Sequence, residues 1–325
     1  METVSRLEKQ EYISHMFENT SDFVYMEAKF FHTTVHVCYL QTLVDYESTE
    51  DMLVAKLSHI HADANPIEQL VASHLSRVDQ SLTEIVNSIL LGMLIIFPEE
   101  GYENIIINPS PISTSRSVTE AQTENPIQTA LDAFTEDMNL NLSLIRRKMR
   151  TRDLIIQNHT VGTKVPREVA VLYVEGQADP KVVELINDCL IENSMMEVSN
   201  IQELLKVLKQ PSFSLVPTYL TSELPSTTKH NLMDGRVVIF LDHFPFSLSF
   251  PSIVSDFWEV KTDKDQLPLF MYLYRVIRIT SLIVAVTMPG LYVVLNSVNP
   301  ELCVSSWRYR SQTRGRVFLI LFSLN

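Results

Sequence analysis

Glycine and cysteine are both scarce in this chain, and their scarcity sets its first limits. Seven glycines in 325 residues, none of them clustered, exclude a phosphate-cradling loop and a dinucleotide fingerprint, both of which need bare backbone close to a phosphate. Three cysteines, Cys38, Cys189 and Cys303, are odd in number and far apart, so they supply neither a disulfide framework nor paired metal-ligand spacing; a reducing compartment suits them. Positive charge is short as well. Lys and Arg total 26 against 39 Asp and Glu, a formal charge of -13, and without clustered cations there is no footprint for nucleic acid. No serine elbow, His-Glu-x-x-His helix or Cys-x-x-Cys pair occurs, so no catalytic residue, no metal and no cofactor is expected, and the chain reads as a non-enzyme. Residues 1–19 lack the apolar core of a secretory signal, which predicts that the N-terminal region stays in the cytoplasm.

What is present is a balance of 46% hydrophobic and 20% charged residues, suited to packed domains, in a length that fits about two of them. Self-comparison shows why. Val35-His36-Val37-Cys38-Tyr39-Leu40, followed by Val44-Asp45, aligns with Val169-Ala170-Val171-Leu172-Tyr173-Val174, followed by Ala178-Asp179, at an offset of 134. Gly92 to Phe97, on to Pro109-Ser110, aligns with Gly235 to Phe240, on to Pro251-Ser252, at an offset of 143. Each copy reads as a buried strand, an acidic residue that caps a helix, later a helix ended by glycine, and a two-stranded hairpin. The predicted fold class is therefore α+β: two similar mixed α/β subdomains in tandem, followed by a membrane helix segment. Ser81 with Glu84 and Ser199 with Gln202 read as capping boxes. Residues 108–128 are rich in Pro, Ser and Thr, as linkers are, and Leu131, Phe134, Met138, Leu142, Ile145 and Met149 predict a long helix over 129–150 that buttresses both lobes.

Several side chains invite a chemical reading. His59-Ile60-His61 and the pair His32/His36 have metal-ligand spacing but no acidic or thiol set to complete them, so surface or packing histidines are the simpler reading. Asp45 and Asp179 occupy equivalent repeat positions and could form a carboxylate pair; helix capping accounts for them more simply. Cys38 and Cys189 fall on apolar faces and read as core. Arg146-Arg147-Lys148 ends the long helix, where a solvated end that suits the dipole competes with contact to a partner or a lipid head group.

Residues 279–300 contain no charge. At about 1.5 Å per residue they reach roughly 33 Å, enough for the hydrocarbon core of a bilayer. Pro289 and Gly290 in the middle predict a kink or break, of the kind found where membrane helices pack together. Arg275 and Arg278 lie at the predicted cytoplasmic edge, although Arg308, Arg310, Arg314 and Arg316 stand on the other side. The chain thus divides into a first subdomain over 1–110, a linker and connecting helix over 111–150, a second subdomain over 151–265, a juxtamembrane and transmembrane segment over 266–301, and an atypical tail over 302–325.

Five segments occur in a telling order: Asn141-Leu-Ser-Leu-Ile145-Arg146-Arg147; the strand from Val169 to Glu175 with Gly176 and Asp179; Asn231-Leu-Met-Asp-Gly235-Arg236-Val237; Pro245-Phe246; and Pro289-Gly-Leu-Tyr-Val293 with Pro300-Glu301. Together they resemble the A-subunit of the GerA-type spore germinant receptors, over about residues 10–301. The resemblance implies a cytoplasmic region of two similar subdomains, then a multi-helix membrane domain in the spore inner membrane. It further implies assembly with B-type and C-type subunits, contact with membrane lipid, room for self-association, and nutrient sensing coupled to ion release and germination. No catalytic residues come with it, and the ligand-binding residues are unknown. Two departures stand out. Gln128-Thr129-Ala130 replaces an Arg-Gly-Pro stretch, and the tail after Glu301 differs in character from the further membrane helices of the family, as in a C-terminally truncated member. The rival readings are a membrane-anchored soluble enzyme or solute-binding protein, and an inert shortened receptor fragment.

Overall fold

The computed structural model describes residues 6–30, 33–57, 76–77, 81–98, 104–110, 132–211, 217–253, 256 and 268–298. The chain forms two units, Met1–Ser252 and Ile253–Asn325.

In the first unit, β-branched and aromatic runs become strands and the amphipathic stretches between them become helices. The first lobe contains α1 (Arg6–Met16), β1 (Phe23–Phe30), β2 (Thr33–Leu40), α2 (Tyr46–Leu57), β3 (Ser76–Arg77), α3 (Leu82–Leu90), β4 (Leu94–Pro98) and β5 (Ile105–Ile107). Next comes α4 (Met138–Lys148), and the second lobe continues with β6 (Leu154–Val161), β7 (Arg167–Val174), α5 (Pro180–Glu192), α6 (Ile201–Val207), β8 (Leu220–Ser222), α7 (Pro225–Met233), β9 (Val237–Leu241) and β10 (Ser247–Phe250). The sheets have the orders β1-β2-β4-β5-β3 and β6-β7-β9-β10-β8, every neighbour antiparallel. One plan is used twice.

The duplication extends to register. Val35 pairs with Pro98 and Val37 with Ile96; in the second lobe Val169 pairs with Leu241 and Val171 with Ile239, so the two sequence offsets describe a single cross-strand alignment. Leu94 opposite Ile107 likewise returns as Val237 opposite Phe250. The hairpin of β1 and β2 returns in β6 and β7, Phe23 opposite Leu40 becoming Leu154 opposite Val174, with three more residues in the second loop. Pleating then sorts the second sheet's side chains. Val169, Val171, Val237 and Ile239 pack beneath α5 and α6, while Ala170, Leu172, Val238 and Phe240 meet α4 and α7.

Glycine stops α3 and α7, the helix before the hairpin in each lobe, as its position predicts. Gly92 and Gly235 have φ of 81° and 80°, and the amides of Met93 and Arg236 reach back to the carbonyls of Ser88 and Asn231 at 2.9 and 3.0 Å. At Gly235 the backbone also passes so close to the Gln177 carbonyl oxygen that a Cβ would lie 2.6 Å from it.

Two sequence readings need correction here. The long helix starts at Met138 and ends at Lys148, because Asp137 accepts from the Leu140 amide and caps it; residues 132–137 are not helical, and 129–131 lie outside the described residues. Its apolar face is nonetheless the predicted one, with Phe134, Met138, Leu142, Ile145 and Met149 buried. The capping box at Ser199/Gln202 is displaced by one residue: Asn200 accepts from the Glu203 amide at 3.0 Å, and Glu203 accepts from the Ser199 amide at 2.6 Å. Ser81 occupies the N-cap of α3, but its side chain makes no capping bond.

The second unit contributes α8 (Pro268–Val298), which runs unbroken through Pro289. Within it Tyr272–Leu295 is long and apolar enough to cross a membrane, the one such helix among the described residues. Its Leu282, Val286, Leu291 and Tyr292 side chains are exposed, and Thr280, Ser281 and Thr287 turn their hydroxyls back onto carbonyls four residues earlier. The tail 302–325 lies outside the described residues.

Candidate functional site: the junction between the lobes

The segment Asn141 to Arg147 lies on α4, and its polar side chains have structural tasks. Asn141 Nδ2 donates to the Thr135 carbonyl at 2.6 Å and its Oδ1 accepts from the Thr135 amide at 2.8 Å, which fixes the chain ahead of the helix. Leu142 and Ile145 pack on the second sheet, while Phe134 meets Phe240 edge-on at 4.9 Å.

Arg146 turns the other way, into the first lobe. Its side chain is 0% exposed and that of Asp22 is 3% exposed. Nε donates to Asp22 Oδ2 at 3.0 Å and Nη2 to Oδ1 at 2.6 Å, the forked geometry that a guanidinium and a carboxylate share. Nη1 donates to the carbonyls of Leu154 at 2.9 Å and Thr151 at 3.4 Å. Asp22 also accepts from the hydroxyls of Thr20 at 2.6 Å and Thr42 at 2.7 Å. Burying two charges is costly, and it is tolerated where lone pairs and N–H groups find partners, as here.

Backbone completes the junction. β6 is an edge strand, and the first lobe covers that edge: the Ser21 amide donates to the Ile156 carbonyl at 2.7 Å, Thr20 Oγ accepts from the Ile156 amide at 3.2 Å, and Ser21 Oγ from the Asn158 amide at 3.3 Å. The turn Thr20-Ser21-Asp22 is thereby welded to the second lobe.

Neither sequence reading of Arg146, solvated end or outside contact, holds. It is an internal bridge, whereas its neighbour Lys148 reaches Asp132 at 3.2 Å from a half-exposed position. Asp22 and its threonines escaped sequence reasoning, although one signal was available: Thr-x-Asp precedes the first strand of both lobes, at Thr20–Asp22 and Thr151–Asp153.

The other predicted residues have plainer roles. Asp45 accepts from the amide and hydroxyl of Ser48 at 3.1 and 2.7 Å, and these bonds, the hydroxyl's first, hold its carboxyl below the usual range. Asp179 accepts from the Lys181 amide at 3.0 Å, so both aspartates cap their helices. Cys38 and Cys189 are buried, and burial pushes both thiols up. His36 stacks on Tyr25 at 5.7 Å; His32 and His59–His61 lie outside the described residues. Among the described residues no group of three or more His, Cys, Asp or Glu could hold a metal. Glu197, which the sequence did not single out, accepts from the amides of Lys164, Thr163 and Val165 in the β6–β7 loop, led by Lys164 at 2.7 Å, and those donors hold its carboxyl down. An open groove of about 560 Å³ lies between α1 and β1, within the first lobe.

A duplicated antiparallel lobe locked to its copy through a buried ion pair, with one helix among the described residues long and apolar enough to cross a membrane, defines the class of protein. The chain belongs to the Bacillus/Clostridium GerA spore germination protein family, whose model matches residues 11–311. It is 26% identical over 304 residues to the uncharacterized membrane protein YfkQ of Bacillus subtilis (strain 168), covering 91% of this chain and 58% of that one. It is 23% identical over 300 residues to spore germination protein GerQA of Bacillus cereus, covering 89% and 58%. The chain thus spans a little over half the length of these relatives. Its fold is that of the N-terminal domain of the A subunit of the Bacillus megaterium spore germinant receptor GerK3, with a TM-score of 0.54 at 23% identity over 77% of this chain and 97% of that one.

Proposed function

We propose that this chain acts as an A-type subunit of a spore nutrient-germinant receptor. The observation that carries the reading is the extent of the family match, residues 11–311, which takes in both lobes and the apolar helix Tyr272–Leu295. On this reading α8 crosses the spore inner membrane, the lobes face the cytoplasm, and B-type and C-type subunits complete the complex. Nutrient binding to the complex changes its conformation, and an ion pathway opens. The junction at Arg146 suits such a role, because a lobe joined to its neighbour by an ion pair and an edge strand passes on a displacement instead of absorbing it. Pro289 supports the membrane part of the reading: it has no N–H for the Ala285 carbonyl, and in lipid a carbonyl so released calls for a kink, with Gly290 giving room, or for a donor on an adjoining helix.

The test uses the tagged full-length chain in spores. Retention in the inner membrane through alkaline carbonate washing, co-purification with B-type and C-type subunits, and slower germination on a nutrient when the chain is deleted are expected. Release as a water-soluble monomer would refute the reading.

A further inference from the structure

The second lobe receives a turn of the first on the side of α4 and the edge of β6. Because the lobes are copies, the first lobe carries the corresponding surface on α1 and β1.

α1 matches α4 at an offset of 132: Met16 and Lys148 end the two helices, and Ile13 and Phe17 are buried as Ile145 and Met149 are. β1 matches β6 at an offset of 131, and among the described strands it too is an edge of its sheet. Tyr25 and Glu27 therefore stand where Ile156 and Asn158 receive the turn. Between α1 and β1 runs the groove of about 560 Å³, lined by Gln10, Glu11, Ser14, His15, Glu18 and Tyr25.

Two changes separate this surface from its copy. The first is charge. Ser14, His15 and Glu18 stand at the places of Arg146, Arg147 and Arg150, and Glu11 and Glu27 at those of Ser143 and Asn158. Where the second lobe meets a carboxylate with a guanidinium, the first lobe presents exposed glutamates at 11, 18 and 27, with Lys29 further along β1. The second change is a buried amide. Gln10 stands at the place of Leu142, and both are buried, at 7% and 2% exposure. Gln10 Nε2 has no hydrogen-bond partner. An amide donor buried without an acceptor is destabilising, so one kept at an apolar position in the wall of a groove calls for an acceptor from outside. A peptide carbonyl is such an acceptor. The matching surface is already filled by polypeptide, and an extended segment laid on the β1 edge pairs backbone with backbone while its cations meet the glutamates.

We propose that the groove between α1 and β1 takes an extended, arginine- or lysine-bearing segment of another protein. The segment pairs with the edge of β1, gives a carbonyl to Gln10 Nε2 and sets its cations against Glu11, Glu18 and Glu27. The inference rests on the first lobe alone, so it can fail while the receptor reading stands.

The test titrates a fluorescent peptide as long as β1, with threonine and arginine in alternation, into the full-length chain in non-ionic detergent and follows anisotropy. Binding is expected, with none for the same peptide carrying glutamate in place of arginine. Glu11→Lys with Glu18→Lys is expected to weaken binding about fivefold, whereas Glu184→Lys with Asp188→Lys, the same change in net charge on exposed positions of α5, leaves it unchanged. Gln10→Leu, which gives α1 the residue of α4, is expected to raise the urea midpoint of the free chain and yet weaken the peptide about fivefold, and the bound peptide should slow exchange of the Glu27 amide. No binding, equal losses in the groove pair and the α5 pair, or a Gln10→Leu chain that binds as the parent does overturns the proposal. Self-association lost in the groove variants with peptide binding unchanged gives the groove to a second copy and overturns it equally.

Discussion

Arg146 and Gly235 show how unevenly function and stability are spread over single residues. Both were singled out in the sequence, and only Gly235 was read correctly there, because its reason is local: a left-handed helix end needs glycine. The reason for Arg146 is 124 residues away at Asp22, beyond any periodicity or spacing rule. The glycine can be tested against another one. Gly176 also has positive φ, 78°, but open space where a Cβ would go, so Gly176→Ala should cost about 1–2 kcal/mol, the strain of a left-handed alanine. Gly235→Ala should cost clearly more, since its Cβ meets the Gln177 carbonyl; equal losses in urea unfolding would contradict that account.

Asp45 and the cysteines give two more residue-scale predictions. The Asp45 carboxyl is held below its ordinary range by Ser48, so the stability it lends is present above the unfolded value of about pH 4 and is lost as pH falls through the folded value. Amide exchange within α2 should accelerate on that acid side, and Asp45→Ala should remove this pH dependence. Burial pushes the Cys38 and Cys189 thiols up, so a Cys303→Ser chain should react with a disulfide reagent only once denaturant is added.

At the scale of elements, the strands, the glycine-ended helices and the duplication were legible because buried strands and helix caps write themselves into neighbouring residues. Boundaries were less so. The apolar spacing that continues through Phe134 and Met149 predicts a longer α4, whereas the Asp137 cap and the Asn141–Thr135 bonds begin it at Met138. From its lack of charge α8 was legible as a helix long and apolar enough to cross a membrane. If it lies in lipid, Val286→Arg near its middle costs about 2.5–3.5 kcal/mol of insertion, and part of the chain should move to the carbonate-soluble fraction. Removing the turn from the β6 edge tests the other element: in Asp22→Leu the Ile156 and Asn158 amides should exchange faster than those facing β7.

For the whole molecule, the governing fact is that two copies of one lobe are held as a pair by a contact that neither lobe could make alone. The sequence displayed the copies but not the lock, since matching blocks reveal kinship and say nothing of how relatives touch. On the function proposed above, the lock would let movement of one lobe reach the other.

The most direct test is a double-mutant cycle on Asp22 and Arg146, with urea unfolding of the full-length chain in non-ionic detergent followed by circular dichroism. Asp22→Leu and Arg146→Met should each lose about 3–5 kcal/mol, because each strands a buried charge, and the double variant should lose less than either one. Losses that simply add would contradict the account, and so would single variants as stable as the parent.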